Sequence, residues 1–215
     1  MDDRLKKKIE SFFSDYPLGF RKKGEMLIGL DGEPDSVFYL SKGYVREYAF
    51  SDQGVELTLH IFVPGSFFPM TLVLTNIKNR YYYEALTPIE VYAVPKDTML
   101  KFLKREPGVV LDLARRVFLG MDKLLMRIEY LILGSAQKRV ISTLLFLARH
   151  FGVRKNKDIQ LQYLFTHRDI ASFAGISRET ASRELKKLLK KNLIAYEKRL
   201  ITIKNSDLLK KQGVL

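Results

Sequence analysis

Apolar and polar positions alternate in short stretches from about Lys22 to Val94. The segments "MLIGL", "SVFYLSKGYVREYAF", "VELTLHIFV", "RYYYEAL" and "IEVYAVP" are rich in aromatic and β-branched residues. Turn signals separate them at Asp31-Gly32, Lys42-Gly43, Asp52-Gln53-Gly54 and Pro64-Gly65. That pattern predicts several short strands, closed as a sandwich or barrel of jelly-roll type.

After Pro107 the period changes. Val110, Ala114, Val117, Met121, Leu124, Ile128 and Leu131 recur at alternating spacings of 4 and 3, an a/d seam along one long helix. Such a seam serves a symmetric dimer or packs on the chain's own barrel, and the dimer is the better match to its length. Val109, Phe118 and Leu125 lie off it and are expected to make the barrel contact. Gly134-Ser135 interrupts the helix, with Ser135 the N-cap of another running to about His150, which makes a candidate hinge.

"GVRKNKDIQLQYLFT" reads as a loop and a short hairpin. Thr166 then caps the helix "HRDIASFA", Gly175 permits a left-handed turn, and Ser177 caps "RETASRELKKLLKKN". Small Ala171 and Ala181 sit where the two helices must cross closely, as in a helix-turn-helix. The strand, charged turn and strand of "LIAYEKRLITIKN" complete a wing. The expected division is 1–106 for the β-roll, 107–134 for the dimer helix and 135–215 for the winged helix-turn-helix, an α+β chain overall.

Charge sharpens this division. Residues 1–134 carry 19 Lys and Arg against 18 Asp and Glu, whereas residues 135–215 carry 18 against 6. Nearly all of the net +13 therefore lies in the last third, where it suits a polyanion or a lysine-rich solvated surface. At ~100° per residue, Arg178, Glu179, Ser182, Arg183 and Lys186 share one arc of the second helix, opposite Ala181, Leu185 and Leu188. Arginine can bond O6 and N7 of guanine together and glutamate can accept from cytosine N4, so the arc suits the edges of G·C pairs in a major groove. The competing assignment is a solvated face with an i,i+4 pair of Glu179 and Arg183. His167, Arg168, Lys186, Lys187, Lys190, Lys191, Lys198 and Arg199 are assigned to phosphates, and Thr166, Ser177, Thr180 and Ser182 to further contacts along the same face.

The order of these parts and their residues resemble the CRP/FNR family of bacterial transcription regulators. "GEMLIGLDGEPDSVFYLSKGYVREY" and "LHIFVPGSFF" are similar to its cyclic-nucleotide-binding-type β-roll, the heptad helix to its dimer helix, and "THRDIASFAGISRETASREL" to its winged helix-turn-helix. The last is the most specific, because its "SRETxxR" core resembles the cyclic-AMP receptor branch. That resemblance implies that Arg178, Glu179 and Arg183 read a TGTGA half-site. Glu184 departs from it, standing where the family usually packs an apolar side chain.

The β-roll departs further. The cyclic-AMP branch has a Gly-Glu pair for the ribose and an Arg-Ser pair for the phosphate. Here Pro69-Met70 and Asn79-Arg80 stand in their places, and proline removes an amide N–H. Leu124 and Leu125 replace hydroxyls of the dimer helix. These losses argue against cyclic AMP, while Arg80 or Lys78 holding another anion stays open. Phe62, Phe67, Phe68, Met70, Arg80, Tyr82 and Tyr83, with Leu124 and Leu125, either line an effector pocket or are largely barrel core.

The chain has no cysteine, which excludes disulfides, thiolate metal sites and iron–sulfur sensing. His60 is the only His of the barrel half, too few ligands for haem sensing or a cupin-type metalloenzyme. No cofactor, metal or catalytic residue is expected. No apolar run reaches the ~18 residues of a membrane span, and the mixed-charge N-terminus reads as unprocessed, cytoplasmic protein. The expected function is a homodimeric regulator that binds double-stranded DNA, with RNA polymerase a partner implied by the resemblance and the effector unknown. The alternatives are a regulator sensing a cyclic nucleotide or another small molecule, and a constitutive one whose barrel is empty.

Overall fold

The computed structural model describes residues 3–213, and the chain divides into two compact units. One comprises the residues up to Ala49 together with Thr58–Met121. The other takes Phe50–Leu57 and everything from Asp122 on.

The first unit opens with helix α1 (Asp3–Ser14), followed by strands β1 (Leu18–Arg21), β2 (Met26–Ile28), β3 (Ser36–Lys42), β4 (Val45–Phe50), β5 (Glu56–Phe62) and β6 (Phe67–Phe68). A short helix α2 (Met70–Thr75), strands β7 (Tyr82–Ala85) and β8 (Ile89–Pro95), and helix α3 (Lys96–Arg105) lead into α4 (Pro107–Leu133). The strands form two antiparallel sheets, ordered β1-β8-β3-β6 and β2-β7-β4-β5. Gly43 turns β3 into β4 at φ 81°, where a Cβ would strike the Pro88 carbonyl and no other residue fits.

Period-two alternation gives the first sheet two cores. Leu40, Phe68, Ile89 and Val91 face Val45, Tyr83 and Ala85 of the second sheet, making the roll interior. Their neighbours Val37, Tyr39, Phe67 and Val94 face the other way, against Ile9 and Phe13 of α1, Met99 and Leu103 of α3, and Val109 of α4. Ring stacking of Phe12 on Phe102 at 3.9 Å locks α1 to α3.

Three features correct the pattern-based expectation. Helix and strand begin well before Lys22, with α1 and β1, and a further helix, α3, precedes Pro107. Lysines dominate α1, yet Leu5, Ile9, Phe12, Phe13 and Tyr16 pack against the core at helical spacing. Phe118 and Leu125, expected to be packed, are 69% and 65% exposed, and Val109 alone of the three is buried.

The second unit continues from α4 through α5 (Ala136–Phe151), β9 (Gly152–Lys155), β10 (Asp158–Leu161), α6 (His167–Ala174), α7 (Arg178–Lys190), β11 (Ile194–Glu197), β12 (Leu200–Ile203) and α8 (Ser206–Gly213). Ser135 caps α5 through the Lys138 amide, as its sequence position predicts. Helix α5 supplies the floor, burying Val140, Ile141, Leu144, Leu147 and Phe151 against Ile170, Phe173, Ala181, Leu185 and Leu188 of the next two helices. Helix α8, which the pattern did not predict, closes this core with Leu209 against α5.

Candidate nucleic-acid interface

Local sequence fixes both helices of the motif. Thr166 and Asp169 form a reciprocal capping box on α6: the Thr166 hydroxyl accepts from the Asp169 amide at 3.1 Å, and Asp169 Oδ2 accepts from the Thr166 amide at 2.8 Å. Gly175 ends α6 in the left-handed region at φ 61°, with Leu131 and Leu57 side chains 3.3 Å from where a Cβ would sit. Ser177 caps α7 by accepting from the Thr180 amide at 3.2 Å. Ala171 and Ala181 are both buried at the crossing of the two helices.

Helix α7 is two-sided. Ala181, Glu184, Leu185 and Leu188 are buried, while Arg178, Glu179, Arg183 and Lys186 are exposed and Ser182 is half-buried. The side chains of Arg178, Glu179 and Arg183 make no hydrogen bond or ion pair among the described residues, so Glu179 and Arg183 do not form the i,i+4 pair. Three charged tips thus stand in solvent at the N-terminal half of the helix.

Glu184 is the exception on the buried face. It is 5% exposed, and Lys187 Nζ donates to its Oε1 at 2.8 Å, while Oε2 has no partner. Lys187 is therefore half committed to its own helix rather than free for a phosphate. The hydroxyls of Thr166 and Ser177 are likewise occupied in capping, and Thr180 Oγ1 accepts from Ser177 Oγ at 3.1 Å. His167 Nε2 lies 3.1 Å from Tyr196 Oη, and Arg168 reaches Glu56 of the same unit at 3.9 Å. Lys186, Lys190 and Lys191 are exposed and unpaired among the described residues.

The wing joins β11 to β12 through a two-residue turn, Glu197 pairing with Leu200. Its central residues, Lys198 and Arg199, both hold positive φ, at 51° and 69°. Such turns ordinarily take Asn or Gly, and a long side chain there costs on the order of 1 kcal/mol each. The chain accepts that strain and places two exposed cations at the tip. At the wing's base Lys204 donates to Asp158 Oδ2 at 2.9 Å and Glu197 Oε1 at 3.0 Å, holding both carboxyls below their usual range. Tyr196 and Lys204 had no signal in the strand pattern. Arg127 did, as the one cation in the mostly apolar "LLMRIEYLIL": it is half-buried and its Nη2 donates to the Phe173 carbonyl at 3.0 Å, at the end of α6.

The side chains of the expected dimer seam are largely exposed. Val110, Val117, Met121, Leu124 and Ile128 are 41–58% exposed, and Ala114 and Leu131 are half-buried.

Of the residues that either line an effector pocket or are largely barrel core, most of the aromatic ones are core. Phe62 and Phe68 stack at 4.6 Å inside the roll, with Tyr83 6.0 Å from each. Phe67 and Met70 belong to the helix-side core. Tyr82 stacks on Tyr48, beside the Arg46–Glu84 ion pair on the opposite strand face from Tyr83. Arg80 is exposed, and Leu124 and Leu125 are exposed in the other unit. Lys78 pairs with Asp31 at 2.9 Å. Asn79 is buried and bridges the Gly29 carbonyl, at 2.7 Å, to both backbone atoms of Tyr81, while Pro69 takes the N-cap position of α2. Among the described residues no group of three or more His, Cys, Asp or Glu could hold a metal, and no helix is long and apolar enough to cross a membrane.

Comparison with known proteins agrees with this architecture. The Crp-like helix-turn-helix domain matches residues 138–212, and the cyclic nucleotide-binding domain matches residues 20–106. The global nitrogen regulator of Synechococcus elongatus is 30% identical over 188 residues, covering 84% of this chain and 83% of its own. Among solved structures, a CRP/FNR-family transcriptional regulator from Thermus thermophilus superposes with a TM-score of 0.76 at 24% identity, over 92% of this chain and 98% of that one. The c-di-GMP-responsive global regulator CLP of Xanthomonas campestris has a TM-score of 0.81 at 18% identity, with the same coverages of 92% and 98%.

Proposed function

Because the chain belongs to the CRP/FNR family of transcription regulators, with a helix-turn-helix DNA-binding domain, we propose that it acts as a homodimer reading a pseudo-palindromic, TGTGA-like operator. In this reading Arg178, Glu179 and Arg183 meet base edges, while Lys186, Lys190, Lys198 and Arg199 meet phosphates. The carrying observation is the arc of three unpartnered charged tips on a helix whose other side is buried. A planar guanidinium with no internal partner arrives at guanine without breaking a bond inside the protein.

Dimerisation follows from the exposed apolar side of α4, which a monomer would leave in water. A two-fold axis spaces the recognition helices by about 34 Å, so each half-site falls on successive major grooves. The functional parts are then residues 1–106, the dimer helix 107–134 and the DNA-binding part 135–215. RNA polymerase is the partner the family implies, and the cytoplasm the compartment.

Cyclic AMP is not the effector in this proposal. Asn79 is consumed in backbone bonds, Pro69 offers no amide, and the interior stack of Phe62, Phe68 and Tyr83 fills space with rings. Selection of bound duplexes from a random library, with sedimentation of the protein alone, tests the whole reading. The expected result is a dimer enriching inverted repeats rich in G·C at the Arg178 and Arg183 positions. A monomer, or no enriched sequence, refutes it.

A further inference from the structure

A cavity of about 700 Å³ opens on the first unit away from the roll interior, between α1, β3, β8 and the start of α4. Its volume lies within the range of small-molecule sites. Its lining mixes polar and apolar surface from those four elements and the turn at Pro64-Gly65, and the reading of the chain as a DNA-binding regulator gives it no task.

Tyr39 is the central observation. Its ring is 4% exposed and stacked on Phe13 at 4.7 Å, yet its hydroxyl, which lines the cavity, makes no hydrogen bond among the described residues. Because the cavity is open to water, that hydroxyl keeps its hydrogen bonds for solvent or for a ligand that displaces it. Arg116 stands beside it and is held rigidly: Nε donates to Asp112 at 2.6 Å, Nη1 donates to the Gly65 carbonyl at 2.9 Å, and the guanidinium lies over the Phe67 ring at 5.8 Å. Lys6 and Glu10 of α1 close the opposite wall, 3.8 Å apart, and Tyr92 and Ser41 add hydroxyls. Burial chiefly, and then the Glu10 charge, push the Tyr39 hydroxyl up from its ordinary value, against the pull of Arg116, so both charges act at that oxygen.

We propose that this cavity is a binding site for a small polyhydroxylated molecule bearing one acidic group, a sugar acid or a sugar phosphate. The acidic group meets Arg116 and Lys6. Its oxygens accept from Tyr39, and the remaining hydroxyls exchange bonds with Glu10, Ser41 and Tyr92. Fixed donors around a preformed cavity favour binding, because little ordering is required when the ligand arrives. The proposal is independent of operator reading, since it concerns the first unit alone.

Isothermal titration of the full chain with gluconate, glucose 6-phosphate and neutral glucose tests it. One or both acids are expected to bind at millimolar levels or tighter, and glucose at least tenfold more weakly. The pair of acids distinguishes carboxylate from phosphate. Tyr39→Phe deletes only the hydroxyl and should weaken binding about tenfold while leaving the ligand-free melting temperature unchanged. Lys6→Gln, on an exposed position, should weaken it several-fold. No binding of the three compounds up to about 10 mM, equal binding of glucose and the acids, or undiminished binding by Tyr39→Phe overturns the proposal. DNA binding by the same preparation reports separately on the operator reading.

Discussion

The interior of the β-roll and the outer face of α7 make opposite use of polar side chains. Inside the roll Tyr83 donates to Glu47 at 3.0 Å, and in the loop before β7 the buried Asn79 satisfies three backbone groups. On α7 the long side chains of Arg178, Glu179 and Arg183 have no partner among the described residues. A group with an internal partner holds the structure, and one without an internal partner is available to something outside it. By that criterion the rings inside the roll serve packing, while the charged arc of α7 is open to a partner, as the proposed reading of DNA requires.

Phe68→Ala should give the largest effect. The ring is fully buried between the two sheets, and its loss should destabilise the first unit by about 3–5 kcal/mol. Calorimetry should show a lower melting transition, with operator preference intact where the protein stays folded. A cyclic nucleotide that restored the lost stability would break the comparison, showing the interior to be a ligand site after all. Next, Arg178→Ala should cost roughly 1–3 kcal/mol at one G·C pair and leave stability within about 0.5 kcal/mol. Lys190→Ala should weaken operator and random duplex alike. Gel-shift titrations on both DNAs separate the two, and equal losses for both variants would erase the division between reading and positioning.

Thr166→Ala removes one partner of the capping box and should cost about 1 kcal/mol, seen as a lower denaturant midpoint. Its effect on DNA affinity should be smaller than that on stability, because the hydroxyl is engaged in the cap. The smallest effect concerns Glu47. Burial raises its carboxyl above the ordinary value, with the Tyr83 hydrogen bond partly opposing. A raised carboxyl contributes stability when protonated, fully so below the unfolded-state value, and that contribution is lost as pH rises through the folded one. Glu47→Gln should therefore match the parent near pH 4 and be slightly more stable above pH 7, as chemical denaturation at the two pH values would show. A parent equally stable at both would remove Glu47 from the argument.

The second unit was the more legible in the sequence. Caps, a turn glycine and a run of apolar residues at helical spacing are local signals, so Thr166, Gly175, Ser177 and the two-sided α7 lie where the pattern predicts. Elements at the margins were less so. Strand β1 has four residues with a glycine among them, and α1 hides its apolar stripe among lysines. The aromatic cluster is mostly core, as one of its two readings had it, but it is split between two cores. "FF" and "YYY" look like one surface on paper, yet successive strand residues point to opposite faces, so Phe67 and Phe68, like Tyr82 and Tyr83, have separate surroundings. Glu184 could not be placed from sequence alone, since only coordinates reveal that Lys187 folds back to meet it.

That lysine alters the ionic bookkeeping of association. Clasped to Glu184, Lys187 presents a neutralised pair instead of a bare cation, so it displaces no sodium from the duplex. In the proposed complex each bound chain should therefore expel about one ion fewer than its exposed lysines suggest, and affinity should decline less steeply as electrolyte is added.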